Sequence, residues 1–394
     1  MRKVFCYLII AFLLVNLSYA QKQTLFLDKD YNTVLQEAQA NRKPIVMMFY
    51  ATWCAHCNAM KNTTFKDANV VNFYEKNFNC IAIDAETPVG IALKTKFENK
   101  FKVKSFPTFA FFDADENLLY AVAGEFKSDK FITEGTNVLV AENQVPNLKS
   151  KFEADVSNPT NCINYIVALR KAGLNATSVA ETYLRTVPEK NQFSALNWRI
   201  IANGISDIDS NEFLFVLKNK EEFAKVASPE RVDRKIVNAV SENFTDYYVK
   251  SDTINYNSKK QFATTLQNRK VDSLIFVFDM AFASNAKNWK KYQKVTEANV
   301  EKFAYNDSNL LNEICTNYLN QINDLQGLQN AVKWSNQSIN LSESKDKYIM
   351  TTKLLMKMKA YDKALDSAEQ GKEFVKSNGW KTTDFDNLIT EIKK

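Results

Sequence analysis

From Leu25 to about Asn147 the hydrophobic positions change period several times. Tyr31, Val34, Leu35 and Ala38 recur at helical spacing and predict a helix over 30–41. Lys43-Pro44 then introduces Ile45 to Tyr50, an unbroken apolar run of strand length. A helical stretch covers Asn58 to Asn62, and a second begins after Asp67 and runs through Tyr74. Cys80 to Asp84 predicts a short strand and 89–99 a further helix. Phe109–Phe112 and Leu118–Ala123 flank the polar turn Asp113–Asn117, which predicts a hairpin ending at Gly124. Strands alternating with helices and closed by a hairpin predict an α/β layered domain over 21–146.

Beyond 147 the pattern changes. Gly and Pro become rare, strand alternation stops, and amphipathic stretches predict an all-α domain over 147–394. Ser228-Pro229-Glu230 reads as a helix start and Gly173 as a helix end, and Asp209 to Glu212 resembles a capping box. Ala331 and Ala364 stand 33 residues apart, close to the ~34-residue period of tetratricopeptide units. Residues from about 310 to 380 resemble such units. They depart from the pattern at Thr351-Thr352, where Leu-Gly is usual, and no Pro closes the unit. The alternative is a plain helical bundle. The resemblance implies a surface for a peptide or partner protein.

The 394-residue chain is long enough for two or three domains, and 45% hydrophobic with 24% charged residues is ordinary for a globular protein. Met1-Arg2-Lys3, the apolar stretch Val4 to Val15 and the small residues Ser18 and Ala20 have the layout of a cleaved signal peptide over 1–20. The apolar stretch is too short for the ~20 residues of a membrane span. The expectation is export, periplasmic or secreted, with cleavage near Ala20. The net charge of +6 is spread among acids, and no nucleic-acid partner follows from it.

Candidate chemistry concentrates in Trp53-Cys54-Ala55-His56-Cys57, which holds two of the six cysteines and the one histidine of the chain. Positions i and i+3 share a helix face, which brings Cys54 and Cys57 within the ~4.4–6.8 Å Cα separation of a disulfide. Cys54 is expected to be exposed at the helix start, where free N–H groups and the dipole stabilise a thiolate. That makes Cys54 the nucleophile and Cys57, one turn inward, the resolving thiol. A protonated His56 beside Cys54 favours the thiolate and hence a more oxidising couple. Export leaves Cys80, Cys162 and Cys315 as isolated thiols, with a Cys162–Cys315 bridge an open alternative.

Taken together, the strand ending Phe49-Tyr50-Ala51, the Trp-Cys-x-x-Cys motif, the strand Ile81–Asp84, Phe106-Pro107-Thr108 and Gly124 resemble a thioredoxin-fold domain. Met60, Thr64-Phe65, Asp67 and Val70 are closest to its periplasmic branch, which includes the thioredoxin-like domain of transmembrane thiol transporters. The resemblance implies a central mixed sheet flanked by helices, protein thiol or disulfide substrates, and a membrane thiol donor as a further partner. It implies that Pro107 is a cis-proline facing the cysteines, that Phe106 offers backbone groups to a substrate chain, and that Trp53 covers the thiols. His at the position of His56 occurs in disulfide-forming and isomerising members. Thioredoxins carry a buried Asp and a Lys partner on the two neighbouring strands; here these positions are Met48 and Cys80. With that pair gone, His56 is the candidate proton carrier for Cys57, since imidazole titrates near neutral pH.

Other chemistries lack their residues. One histidine excludes hydrolytic triads, His-Glu-x-x-His sites and Cys₂His₂ fingers, no second Cys-x-x-Cys completes a zinc site, and no Gly-x-x-x-x-Gly-Lys cradles phosphate. No metal and no cofactor is called for. Three readings remain: an oxidase or isomerase, a reductase fed by a membrane donor, and a non-catalytic scaffold that binds proteins through its helices.

Overall fold

The computed structural model describes residues 25–394; the leader expected over 1–20 lies outside them. Asp30 accepts a hydrogen bond from Thr33 N–H (2.9 Å) and starts α1 (Tyr31–Asn41), which leads to β1 (Ile45–Tyr50). Then come α2 (Ala55–Asn62), a short 3₁₀ turn, α3 (Ala68–Asn77), β2 (Asn79–Asp84), α4 (Pro88–Lys96), β3 (Thr108–Phe112), β4 (Leu118–Ala123) and α5 (Ser128–Leu139). Helix α4 ends three residues before the predicted 99, because Phe97 and Phe101 turn into the core instead of continuing the helix.

The strands form one mixed sheet in the order β2-β1-β3-β4, with β1 parallel to β2 and antiparallel to β3. Strand β1 is buried along its whole length, which explains why its sequence is continuously apolar rather than alternating. Val46, Met48 and Tyr50 face a core completed by Val70, Tyr74, Phe109 and Phe131, whereas Ile45, Met47 and Phe49 face Val34, Leu93, Phe97 and Phe101. Gly124, at φ +122°, donates its N–H to Pro107 O at 2.9 Å and ties the end of the hairpin to the loop before β3. That backbone region favours glycine.

The helical part begins against the sheet. Helices α6 (Val145–Ala154) and α7 (Pro159–Lys171) follow α5. Ala172 O accepts Lys102 N–H at 2.8 Å, and Lys171 reaches Tyr120 and Glu134. Gly173 has φ +73° and ends α7 as expected. The capping box expected at Asp209 is shifted by one residue. Ser210 accepts Phe213 N–H at 3.1 Å and caps the helix Asn211–Lys218, because its hydroxyl is the one set in extended backbone three residues before that N–H.

By compactness the chain divides at Ile236/Val237, inside the helix Pro229–Val249. The unit from Val237 onward is all helical among its described residues. In it, Ala331 and Ala364 are fully buried. Thr351 bonds to the Ser335 hydroxyl at 2.5 Å and Thr352 donates to Ser367 at 3.1 Å, so these helices meet through hydroxyls at the two positions that depart from the tetratricopeptide pattern.

Phe131 stacks on Tyr74 (ring centroids 4.3 Å) and touches Phe109 (4.8 Å) and Phe65 (5.6 Å) with no exposure. Phe131→Ala is expected to destabilise the first unit by about 3–5 kcal/mol, read as a fall in the urea midpoint of its unfolding transition.

Candidate active site

Strand β1 delivers the site. Ala51, just beyond it, accepts Cys54 N–H at 3.1 Å, and Ala85 N–H binds Tyr50 O at 2.8 Å, so the turn into α2 is fastened to both parallel strands. Cys54 is the N-cap of α2, and its sulfur accepts Cys57 N–H at 3.3 Å. A side-chain acceptor at this place satisfies a helix N–H that has no partner within the helix. Both thiols are free.

The expected exposure of Cys54 is corrected by the structure: its residue is 5% exposed and Cys57 is 0% exposed. Capping turns the Cys54 side chain inward, and its S–H donates to Phe106 O at 3.7 Å. The rings of Trp53 and Phe106, 6.1 Å apart edge to face, stand beside it. The Phe106 carbonyl expected to meet a substrate chain thus binds the Cys54 thiol here. The Phe106–Pro107 peptide is cis. Trp53, Cys54, Ala55 and His56 on one side and Val103 to Phe106 on the other line a groove of about 560 Å³.

Two carboxylates absent from the sequence reading hold the rim. Trp53, 68% exposed, donates its indole N–H to both Glu86 oxygens at 3.0 Å. His56 Nδ1 donates to Glu125 Oε2 at 2.7 Å. Glu125 is fixed by its neighbour, since Phe126 N–H binds Met60 Sδ (3.4 Å) and Phe126 O accepts the Thr64 hydroxyl (2.7 Å). These contacts span 33 and 69 residues, and nothing local in the sequence announces them.

Burial pushes the Cys57 thiol up to about 12, the hydrogen bond with Cys54 adds to this, and Lys61 and a backbone hydrogen bond at Ala51 act the other way. Lys61 was legible, since it lies four residues from Cys57 on the same helix. Its ammonium sits 3.5 Å above the Tyr50 ring. Met48 lies fully buried in the core that contains Cys57, and Cys80 packs against that core. Among the described residues, no acid is buried in that core. Cys162 and Cys315 donate to carbonyls within their own units, Val179 O and Ala331 O, and burial raises both, Cys162 to about 12.

Iodoacetamide at pH 8 is therefore expected to label Cys54 of the reduced native protein more than about tenfold faster than Cys57, Cys162 or Cys315, as followed by peptide mass mapping. Equal rates at Cys54 and Cys57 would contradict this assignment of environments.

Residues 31–138 match a family model described as a thioredoxin-like domain. The thiol:disulfide interchange protein DsbD of Campylobacter jejuni is 29% identical over 119 residues, covering 30% of this chain and 20% of that protein. The thioredoxin-like protein HCF164, chloroplastic, of Arabidopsis thaliana is 30% identical over 112 residues, 28% of this chain and 39% of the relative. The solved C-terminal domain of Neisseria meningitidis DsbD in the oxidised form has 26% sequence identity and a TM-score of 0.23, covering 26% of this chain and 86% of that one. The chain thus spans about a fifth of the length of the DsbD relatives it matches. No helix among the described residues is long and apolar enough to cross a membrane. The matched segment contains the sheet, both cysteines of the motif, Pro107, Glu86 and Glu125, and residues 31–138 form a thioredoxin-like domain.

Proposed function

We propose that this protein is an exported thiol–disulfide oxidoreductase that exchanges disulfides with protein substrates through Cys54 and Cys57. The observation that carries the reading is the pair of free thiols at the start of α2, one lining the groove and the other buried a turn inward. The Cys54 thiolate attacks a substrate disulfide, forms an interprotein disulfide and releases one substrate thiolate. The Cys57 thiolate then attacks Cys54 Sγ, closes the Cys54–Cys57 disulfide and releases the second substrate thiol. Two electrons pass from protein to substrate. In reverse, the Cys54–Cys57 disulfide oxidises a substrate dithiol, and the direction follows the potential of the couple relative to its partner.

Trp53 and the Phe106-Pro107 loop form the walls against which a substrate chain lies. A thiol donor in the membrane, of the kind that the DsbD likeness supports, returns the pair to the dithiol. Export rests on the charged, apolar and small-residue order of residues 1–20. The helical domain over 147–394 serves as the surface for a peptide or partner protein, and the tetratricopeptide-like character of residues from about 310 to 380 belongs to this proposal.

Insulin reduction and scrambled-ribonuclease refolding, run side by side, test the reading and give its direction. Cys54→Ser is expected to abolish activity in both, and Cys57→Ser to accumulate a substrate-linked species on non-reducing gels. Wild-type activity in Cys54→Ser would end the proposal in favour of a scaffold. His56→Pro removes the imidazole that favours the Cys54 thiolate and is expected to lower the reduction potential by about 30 mV, tenfold in the equilibrium constant. Equilibration against glutathione reads it, and an unchanged potential would remove His56 from the site.

A further inference from the structure

Cys57 is 0% exposed, and strand positions 48 and 80 supply no charge to it: Met48 shares its core, and Cys80 packs against that core. His56, one residue before it, is engaged with Glu125 at the protein surface. Lys61 lies one turn further along α2 on the face of Cys57. Its ammonium is held 3.5 Å above the ring of Tyr50, the buried last residue of β1, which belongs to the same core as Cys57. The Tyr50 hydroxyl is placed in turn by Asp28 Oδ1 at 3.4 Å. The charge of Lys61 is thus fixed by packing, because a cation over an aromatic face is anchored there. The backbone hydrogen bond at Ala51 also favours an anion at Cys57 without supplying a full charge, whereas Cys54 beside Cys57, and Asp28 and Asp84 beside Tyr50, are thiol or acid and disfavour one.

We infer that Lys61 is the cation that stabilises the Cys57 thiolate while Cys57 attacks Cys54, so that its charge sets the rate of the resolving step. The inference rests on the exchange chemistry proposed above. Lys61 keeps its proton throughout. The proton lost by Cys57 goes to solvent, the Cys57 Sγ–Cys54 Sγ bond forms, and the bond from Cys54 Sγ to the leaving thiolate breaks. Lys61 touches neither substrate nor leaving group, and it acts through Cys57. It takes up, from the helix side, the electrostatic task that the strand positions Met48 and Cys80 leave unfilled.

Dithiobis(nitrobenzoate) separates the two steps in the full chain. Attack by Cys54 releases one nitrothiobenzoate, and resolution by Cys57 releases the second, each seen by absorbance in a stopped-flow instrument. At pH 7, Lys61→Met is expected to slow the second release about tenfold, the effect of moving an opposite charge away by one pKa unit, and to leave the first unchanged. Lys61→Glu slows the second release further, and Lys61→Arg stays within about twofold of the wild type. A second release at the wild-type rate in both the Met and Glu variants would overturn the inference. Equal slowing of both releases in Met, Glu and Arg variants would overturn it in favour of a packing role. The probe needs only the two cysteines, so inactivity on insulin and ribonuclease would defeat the proposed function and leave this readout standing.

Discussion

A thiol with no exposure to solvent has to become an anion if the Cys54–Cys57 pair is to exchange disulfides. Burial in a low-dielectric core opposes the charged form, and for Cys57 it dominates and carries the thiol up to about 12. The layout around it follows from this conflict. Strand β1, buried on both faces, leads into the turn Ala51–Cys54 closed by the Cys54 N–H bond to Ala51 O, which puts Cys54 at the helix cap and Cys57 in the first turn behind it. The capping sulfur receives an N–H from Cys57, while the Cys57 sulfur faces the core. Two residues of one chemical type thereby acquire different environments from three positions of helix.

The rim obeys a different rule. Glu86 and Glu125 are each spent on one partner, the Trp53 indole and the His56 ring. Exposed pairs of this kind add little stability. Their effect is orientation: Trp53 is largely exposed yet fixed edge to face with Phe106. One wall of the groove is thus held at two points, the indole N–H and the ring edge. Gly124 and Met60 serve the same end, since Gly124 ties the hairpin to Pro107 and Met60 receives the N–H of the residue that follows Glu125.

Much of this was legible in the residues. An unbroken apolar run marked β1, the Cys-x-x-Cys spacing marked the cap and first turn, and Phe106-Pro107-Thr108 with Gly124 marked the loop and hairpin that close the groove. Each of these is a run or spacing of a few residues, or a pair within one hairpin. What the sequence withheld was set by contacts across the chain: the acids that hold Trp53 and His56, the inward turn of Cys54, and the bond from Lys102, in the loop before β3, to Ala172 at the end of α7. The end of α4 was hidden for a similar reason. Phe97 and Phe101 continue a helical pattern in sequence, and the core between the sheet and α1 takes them out of it.

On the proposed reading, the missing strand charges are replaced by a division of labour along α2. His56 points outward and acts on the thiol that meets the substrate, so it bears on the balance between dithiol and disulfide. Lys61 lies inward over Tyr50 and acts on the thiol that never meets solvent, so it bears on how fast a mixed disulfide is resolved. A carboxylate beneath Cys57 could take its proton directly, whereas an ammonium can only favour the anion. Exchange governed by Lys61 consequently loses its proton to solvent rather than to a neighbouring side chain, and the ammonium acts on the anion that remains.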